Sequence, residues 1–145
     1  MYKILVTTNG SEQAKTTIEE TIKIAAPMGK DVEVYVAFVM EKIDNMIYAP
    51  DLNDKLKKAV EESQDSFSNG VISKAVKQLT EKGIKTHSKI LKGNPVDQIC
   101  LFAEKEKCNL IIMGKRSRGK LEEFFAGSIS TQVVQRAKTS VLVLK

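Results

Sequence analysis

Short, nearly uninterrupted apolar runs, each followed by a turn and then by an apolar pattern of helical period, leave this chain few architectures. Lys3–Thr7, Asn109–Gly114 and Ser140–Leu144 carry too little polar alternation to lie half in water. Runs of this kind suit strands buried on both faces, as in parallel sheets. Between them, Ala14, Ile18, Ile22 and Ala25, then Val96, Ile99, Cys100 and Ala103, then Ile129, Val133, Val134 and Ala137 recur at helical spacing. Strand and helix alternate throughout. The pattern predicts an α/β fold with right-handed crossovers and a mostly parallel sheet covered on both sides. At 145 residues, with no repeat or low-complexity stretch, residues 1–145 read as one domain.

Turn chemistry sets the expected boundaries. Asn9-Gly10-Ser11 ends the first strand and places Ser11 to cap a helix, which Pro27 truncates or bends before Gly29. Val32–Val39 is strand-like, with Val32, Val34 and Val36 alternating against Glu33 and Tyr35. The connection Glu41–Pro50 holds Ile43, Met46, Ile47 and Tyr48, the composition of a flap over a ligand or a cover for the sheet edge. Asp51 is the expected cap of a long helix with an apolar stripe through Leu52, Leu56, Ala59, Ser63, Phe67, Val71, Ala75 and Leu79, a bend at Gly70 and a stop at Gly83. Ile84–Leu91 is a third strand whose Lys85, His87 and Lys89 face outward or toward an edge. Asn94-Pro95 supplies a cap with proline at the first helical position.

Composition excludes more than it selects. No apolar run approaches the roughly 20 residues of a membrane helix, and the start lacks a secretory signal pattern, so the expectation is a cytoplasmic protein. The net charge of +5 spreads 23 basic among 18 acidic residues, a balance that names no partner. Lys115, Arg116, Arg118 and Lys120 cluster without interleaved aromatic platforms, which argues against nucleic acid. Cys100 and Cys108 match no metal or redox spacing and read as packing residues. His87 is the only histidine and has no recognisable catalytic neighbours, so it reads as a surface imidazole. No catalytic residues and no metal ligands are assigned.

Ligands of open α/β sheets bind outside the carboxyl ends of the strands, where strand order reverses. Those ends are Thr7-Thr8-Asn9-Gly10 and the segment from Met113 to Lys120. In the second, glycines admit close backbone approach, and Gly127-Ser128 then opens a helix with unpaired amides and a hydroxyl. A basic glycine loop leading to a helix start is the chemistry of a phosphate site. Neither a Walker P-loop nor a dinucleotide fingerprint is present.

The string Gly114-Lys115-Arg116-Ser117, nine residues, then Gly127-Ser128, resembles the Gly-x2-Gly-x9-Gly-Ser/Thr motif of ATP-binding universal stress proteins. The opening Ile4-Leu5-Val6-Thr7-Thr8-Asn9-Gly10-Ser11, the turn at Gly93-Asn94-Pro95 and the closing Thr139–Leu144 are similar to the same family, and the likeness spans the whole chain. The resemblance implies an open five-stranded parallel sheet of order 3-2-1-4-5, Rossmann-like, sandwiched by helices. It further implies ATP, or AMP or ADP, as the ligand. Thr7, Thr8, Asn9, Ala37 and Met113 would line the adenosine pocket, and Gly114, Ser117, Gly127, Ser128, Ile129 and Ser130 would hold the phosphates. Magnesium or manganese would be carried by the phosphates. A homodimer through the last strand is likewise implied.

Two positions depart from the family motif. Its second glycine is Ser117 and its first-strand aspartate is Asn9. Asn9 can still donate and accept hydrogen bonds; a Cβ at Ser117 costs about 1 kcal/mol if that position requires positive φ. The expectation is a regulatory module that binds adenine nucleotide in a stress response. The alternatives are a nucleotide-free dimeric interaction protein and a very weak ATPase, since no base for hydrolysis is evident.

Overall fold

The computed structural model describes residues 1–40, 54–115 and 128–145. The expected flap at Glu41–Pro50, the Asp51 cap and most of the basic loop therefore lie outside the described residues.

Strand β1 (Tyr2–Thr7) leads into helix α1 (Glu12–Ala25), and Ser11 caps it by accepting from the Ala14 amide at 3.1 Å. With Pro27 in its first turn, the continuation tightens to a 3-10 segment, Ala26–Asp31, in which Gly29 turns the chain at φ 58°. Strand β2 (Val32–Met40), helix α2 (Asp54–Thr80), strand β3 (Lys85–Lys92) and helix α3 (Pro95–Lys105) follow. Strand β4 (Leu110–Gly114), helix α4 (Ile129–Arg136) and strand β5 (Ser140–Leu144) complete the chain.

The five strands form one parallel sheet of order β3-β2-β1-β4-β5. This is the expected order, and its reversal falls between β1 and β4. Their seam is fixed at its base by a reciprocal pair: Lys3 N donates to Asn109 Oδ1, and Asn109 N donates to Lys3 O, each at 2.8 Å. The period of two along each strand divides the core. Ile4, Val6, Val34, Val36 and Ile112 pack under α1 and α2, whereas Leu5, Tyr35, Ala37, Ile111 and Met113 pack under α3 and α4.

Glu33 and Tyr35 of β2 are buried like the valines they alternate with, and Phe102 of α3 packs on the Tyr35 ring. Two sequence expectations change. The buried face of α2 is Ser68, Ile72, Ala75 and Leu79: the expected stripe holds at Ala75 and Leu79, but Leu56 and Phe67 are exposed and Ser68 and Ile72 take the inner positions. Ser68 tolerates burial because its hydroxyl donates to the Gln64 carbonyl at 2.9 Å within its own helix. The same helix runs unbroken through Gly70. Cys108 is buried and Cys100 half-buried, both as free thiols.

Candidate functional site

The carboxyl ends of β1 and β4 splay to either side of a cleft of about 850 Å³. This lies within the range of small-molecule sites. Its walls come from the β1–α1 turn (Thr7, Thr8, Asn9), from the end of β4 (Met113, Gly114) and from the start of α4 (Ile129, Ser130). Seven of the residues singled out in the sequence thus converge on one cavity.

Local bonding holds these walls. The Thr8 amide donates to the Ala37 carbonyl at 2.9 Å, tying the turn to β2. Asn9 Oδ1 accepts from the Ser11 amide at 3.0 Å, which fixes the turn leading into α1 and leaves the Asn9 amide donors for the cleft. Gly10 adopts φ 79°, and a Cβ there would stand 2.8 Å from Val71 Cγ2 of α2. On the far side, Lys115 N donates to Leu144 O at 2.7 Å, so β5 anchors the chain as it leaves β4. Ser128 caps α4, its hydroxyl accepting from the Thr131 amide at 3.4 Å, and it meets the buried Ser130 hydroxyl at 2.8 Å.

The remaining assignments differ in place. Ala37 is fully buried and does not line the cleft; its carbonyl holds the Thr8 amide, and the next residues, Phe38 and Val39, form that wall. Ser128 stands at the α4 start next to the lining. Ser117 and Gly127 lie outside the described residues. Gln13, Phe67, Pro95 and Ile99 also line the cleft and were not singled out as site residues. The spacing of Pro95 and Ile99 marks helix faces, and only the pairing of β1 with β4 reveals that they border this cavity. Among the described residues, no group of three or more His, Cys, Asp or Glu is placed to hold a metal ion.

A separate polar cluster occupies the opposite end of the sheet. Glu33 Oε2 lies 3.1 Å from His87 Nε2 and 3.4 Å from Lys85 Nζ, while Oε1 lies 3.6 Å from Lys3 Nζ. The hydrogen bond from His87, aided by Lys85, holds the Glu33 carboxyl below its ordinary value against the opposing effect of burial. His87 also stacks on Tyr35 with ring centroids 4.8 Å apart. It is therefore a partnered side chain in the sheet and not a free surface imidazole.

An open parallel α/β sheet with a cleft at its switch point defines the class of doubly wound α/β domains. Over residues 1–145 the sequence matches the universal stress protein family, and the chain belongs to that family. It is 34% identical to Universal stress protein MJ0531 of Methanocaldococcus jannaschii, covering 99% of this chain and 81% of that one. The solved structure of the MJ0577 protein superposes with a TM-score of 0.81 at 24% identity, over 99% of this chain and 95% of the other. A universal stress protein of Arabidopsis thaliana with AMP bound gives 0.72 at 20% identity, over 100% and 92%. One from Archaeoglobus fulgidus in complex with dAMP gives 0.67 at 20% identity, over 100% and 98%. Another universal stress protein, in complex with cAMP, gives 0.71 at 19% identity, over 99% and 95%. Among the described residues no helix is long and apolar enough to cross a membrane.

Proposed function

We propose that this universal stress protein binds an adenine nucleotide, ATP or its mono- or diphosphate, in the cleft between β1 and β4, and acts as a cytoplasmic regulatory module. The observation that carries the reading is the convergence of Thr7, Thr8, Asn9, Met113, Gly114, Ile129 and Ser130 on one cavity at the switch point. Val39, Met113 and Ile99 offer apolar surface for a base at the β2 side. The α4 start, with its unpaired amides, suits phosphate oxygens at the other. Relatives of this fold hold AMP, dAMP and cAMP. A magnesium or manganese ion would travel with the phosphates, because the described donors form no carboxylate cage. The same reading pairs two copies through β5, whose outer edge carries no strand partner among the described residues.

Titration with AMP, ADP and ATP in the presence of magnesium, followed by thermal unfolding, tests the reading. A ligand at 100 times its Kd adds about 2.7 kcal/mol of stability. A Gly127→Val variant, altered at the glycine before the α4 cap, should lose the shift. If none of the three ligands raises the unfolding temperature of the wild-type chain, the nucleotide reading falls and the nucleotide-free interaction protein takes its place.

A further inference from the structure

We propose that Gln13 is a specificity-determining residue of the cleft, whose neutral carboxamide donates to the phosphate portion of the ligand and selects for phosphorylated adenine compounds; this rests on the nucleotide reading above. Gln13 is half-buried on the first turn of α1 and lines the cleft. Its side chain fills the space that a side chain at position 114 would take. A Cβ built on Gly114 would stand 3.2 Å from Gln13 Cγ, 3.5 Å from Gln13 Cδ and 3.0 Å from Thr17 Oγ1. Gly114 thus admits the glutamine to the end of β4, next to Lys115.

The carboxamide is not spent on the protein. Thr17 Oγ1, the nearest hydroxyl, donates to the Gln13 backbone carbonyl at 3.0 Å, and no described residue bonds the Gln13 side-chain amide. A half-buried donor pair with no partner among the described residues, packed against Gly114 in the lining of a cavity, is poised for a ligand atom. The part of the ligand is set by position. The apolar wall from Phe38, Val39 and Ile99 lies on the β2 and α3 side, while Gln13 lies beside Gly114 on the α1 side. The amides of Glu12 and Gln13, outside the helical ladder at the α1 start, favour the same negative charge. Neutrality matters here: a carboxylate at position 13 would face the phosphates directly.

Calorimetric titration of the wild type, Gln13→Ala and Gln13→Glu with cAMP, AMP and ATP, without divalent cation, tests this. Phosphate charge rises along that series. Gln13→Glu should weaken ATP by tenfold or more, AMP less and cAMP least, and Gln13→Ala should weaken ATP by about threefold to tenfold. Thermal unfolding without ligand confirms that both variants fold. Equal losses for all three ligands would make Gln13 a packing residue against Gly114, and unchanged affinities would remove it from the site; either outcome overturns the proposal while the nucleotide reading stands. A wild-type chain that binds none of the three overturns the nucleotide reading, and this inference with it.

Discussion

Glu33 on β2 and His87 on β3 meet at 3.1 Å through Oε2 and Nε2, binding an interior strand to the edge strand beside it. Lys3 reaches the same carboxylate from β1, so one buried acid gathers three adjacent strands. A carboxylate so placed favours one register, because a one-residue slip of β3 would move His87 and Lys85 to the other face.

Replacing this acid should therefore cost stability in a pH-dependent way. The folded value of the Glu33 carboxyl is lowered, chiefly by His87. Its contribution is present above the unfolded carboxylate value of 4.5 and is lost as pH falls through the folded value. Glu33→Gln should lower unfolding free energy by about 1–2 kcal/mol at pH 7. The gap between variant and wild type should start to narrow below pH 4.5 and close as pH falls through the lowered folded value. Denaturant unfolding across the acid range measures it; a gap that does not narrow on acidification would show that the charge contributes nothing.

Gly10 is a second point of sensitivity. Its φ of 79° disfavours any side chain, and a Cβ would press on Val71 Cγ2 at 2.8 Å. Gly10→Ala should cost at least about 1–2 kcal/mol. Adding Val71→Ala should remove the collision and leave the backbone term, so the double variant should be less destabilised than the two single losses summed. Simple additivity in a double-mutant cycle would contradict the contact.

The two thiols should differ in reactivity. Burial pushes Cys108 up to about 11, and Cys100, only half-buried, is raised in the same direction. Since the thiolate is the reacting form, Cys108 should be at least tenfold slower than Cys100 toward a disulfide reagent at pH 8. Cys100→Ser should abolish the faster phase.

Val143 bears on assembly. It is half-buried on β5 but, among the described residues, belongs to neither core cluster, unlike Val141, Leu142 and Leu144. If two copies join along β5, Val143→Asp should halve the mass seen by light scattering and leave the α/β circular-dichroism signature intact. A wild-type chain that is already monomeric at high concentration would end the dimer proposal.

The architecture was legible because strand and helix periods differ so plainly here: Lys3–Thr7 and Asn109–Gly114 admit little but buried strands, and Ser11, Asn94 and Ser128 all cap as their chemistry dictates. The site was legible where turn residues mark strand ends, as at Asn9 and Gly114. What escaped depends on contacts between distant segments. The face of α2 could not be chosen between Phe67 and Ser68 by spacing alone, since Phe67 turns to meet Phe38 edge-on at 6.0 Å. The burial of Glu33 depends on Lys3, Lys85 and His87 arriving from the neighbouring strands, and Gln13 becomes visible only when Gly114 is brought against it.

The seam from Lys3 to Asn109 carries a last consequence. Those residues are 106 apart in the chain, whereas β1, β2 and β3 are complete by Lys92. Closing so long a loop is entropically the most demanding step in making this sheet. The cavity cannot exist until it is done, so a molecule seated there would act as a clasp between a segment made early, β1, and the later-made β4 and α4.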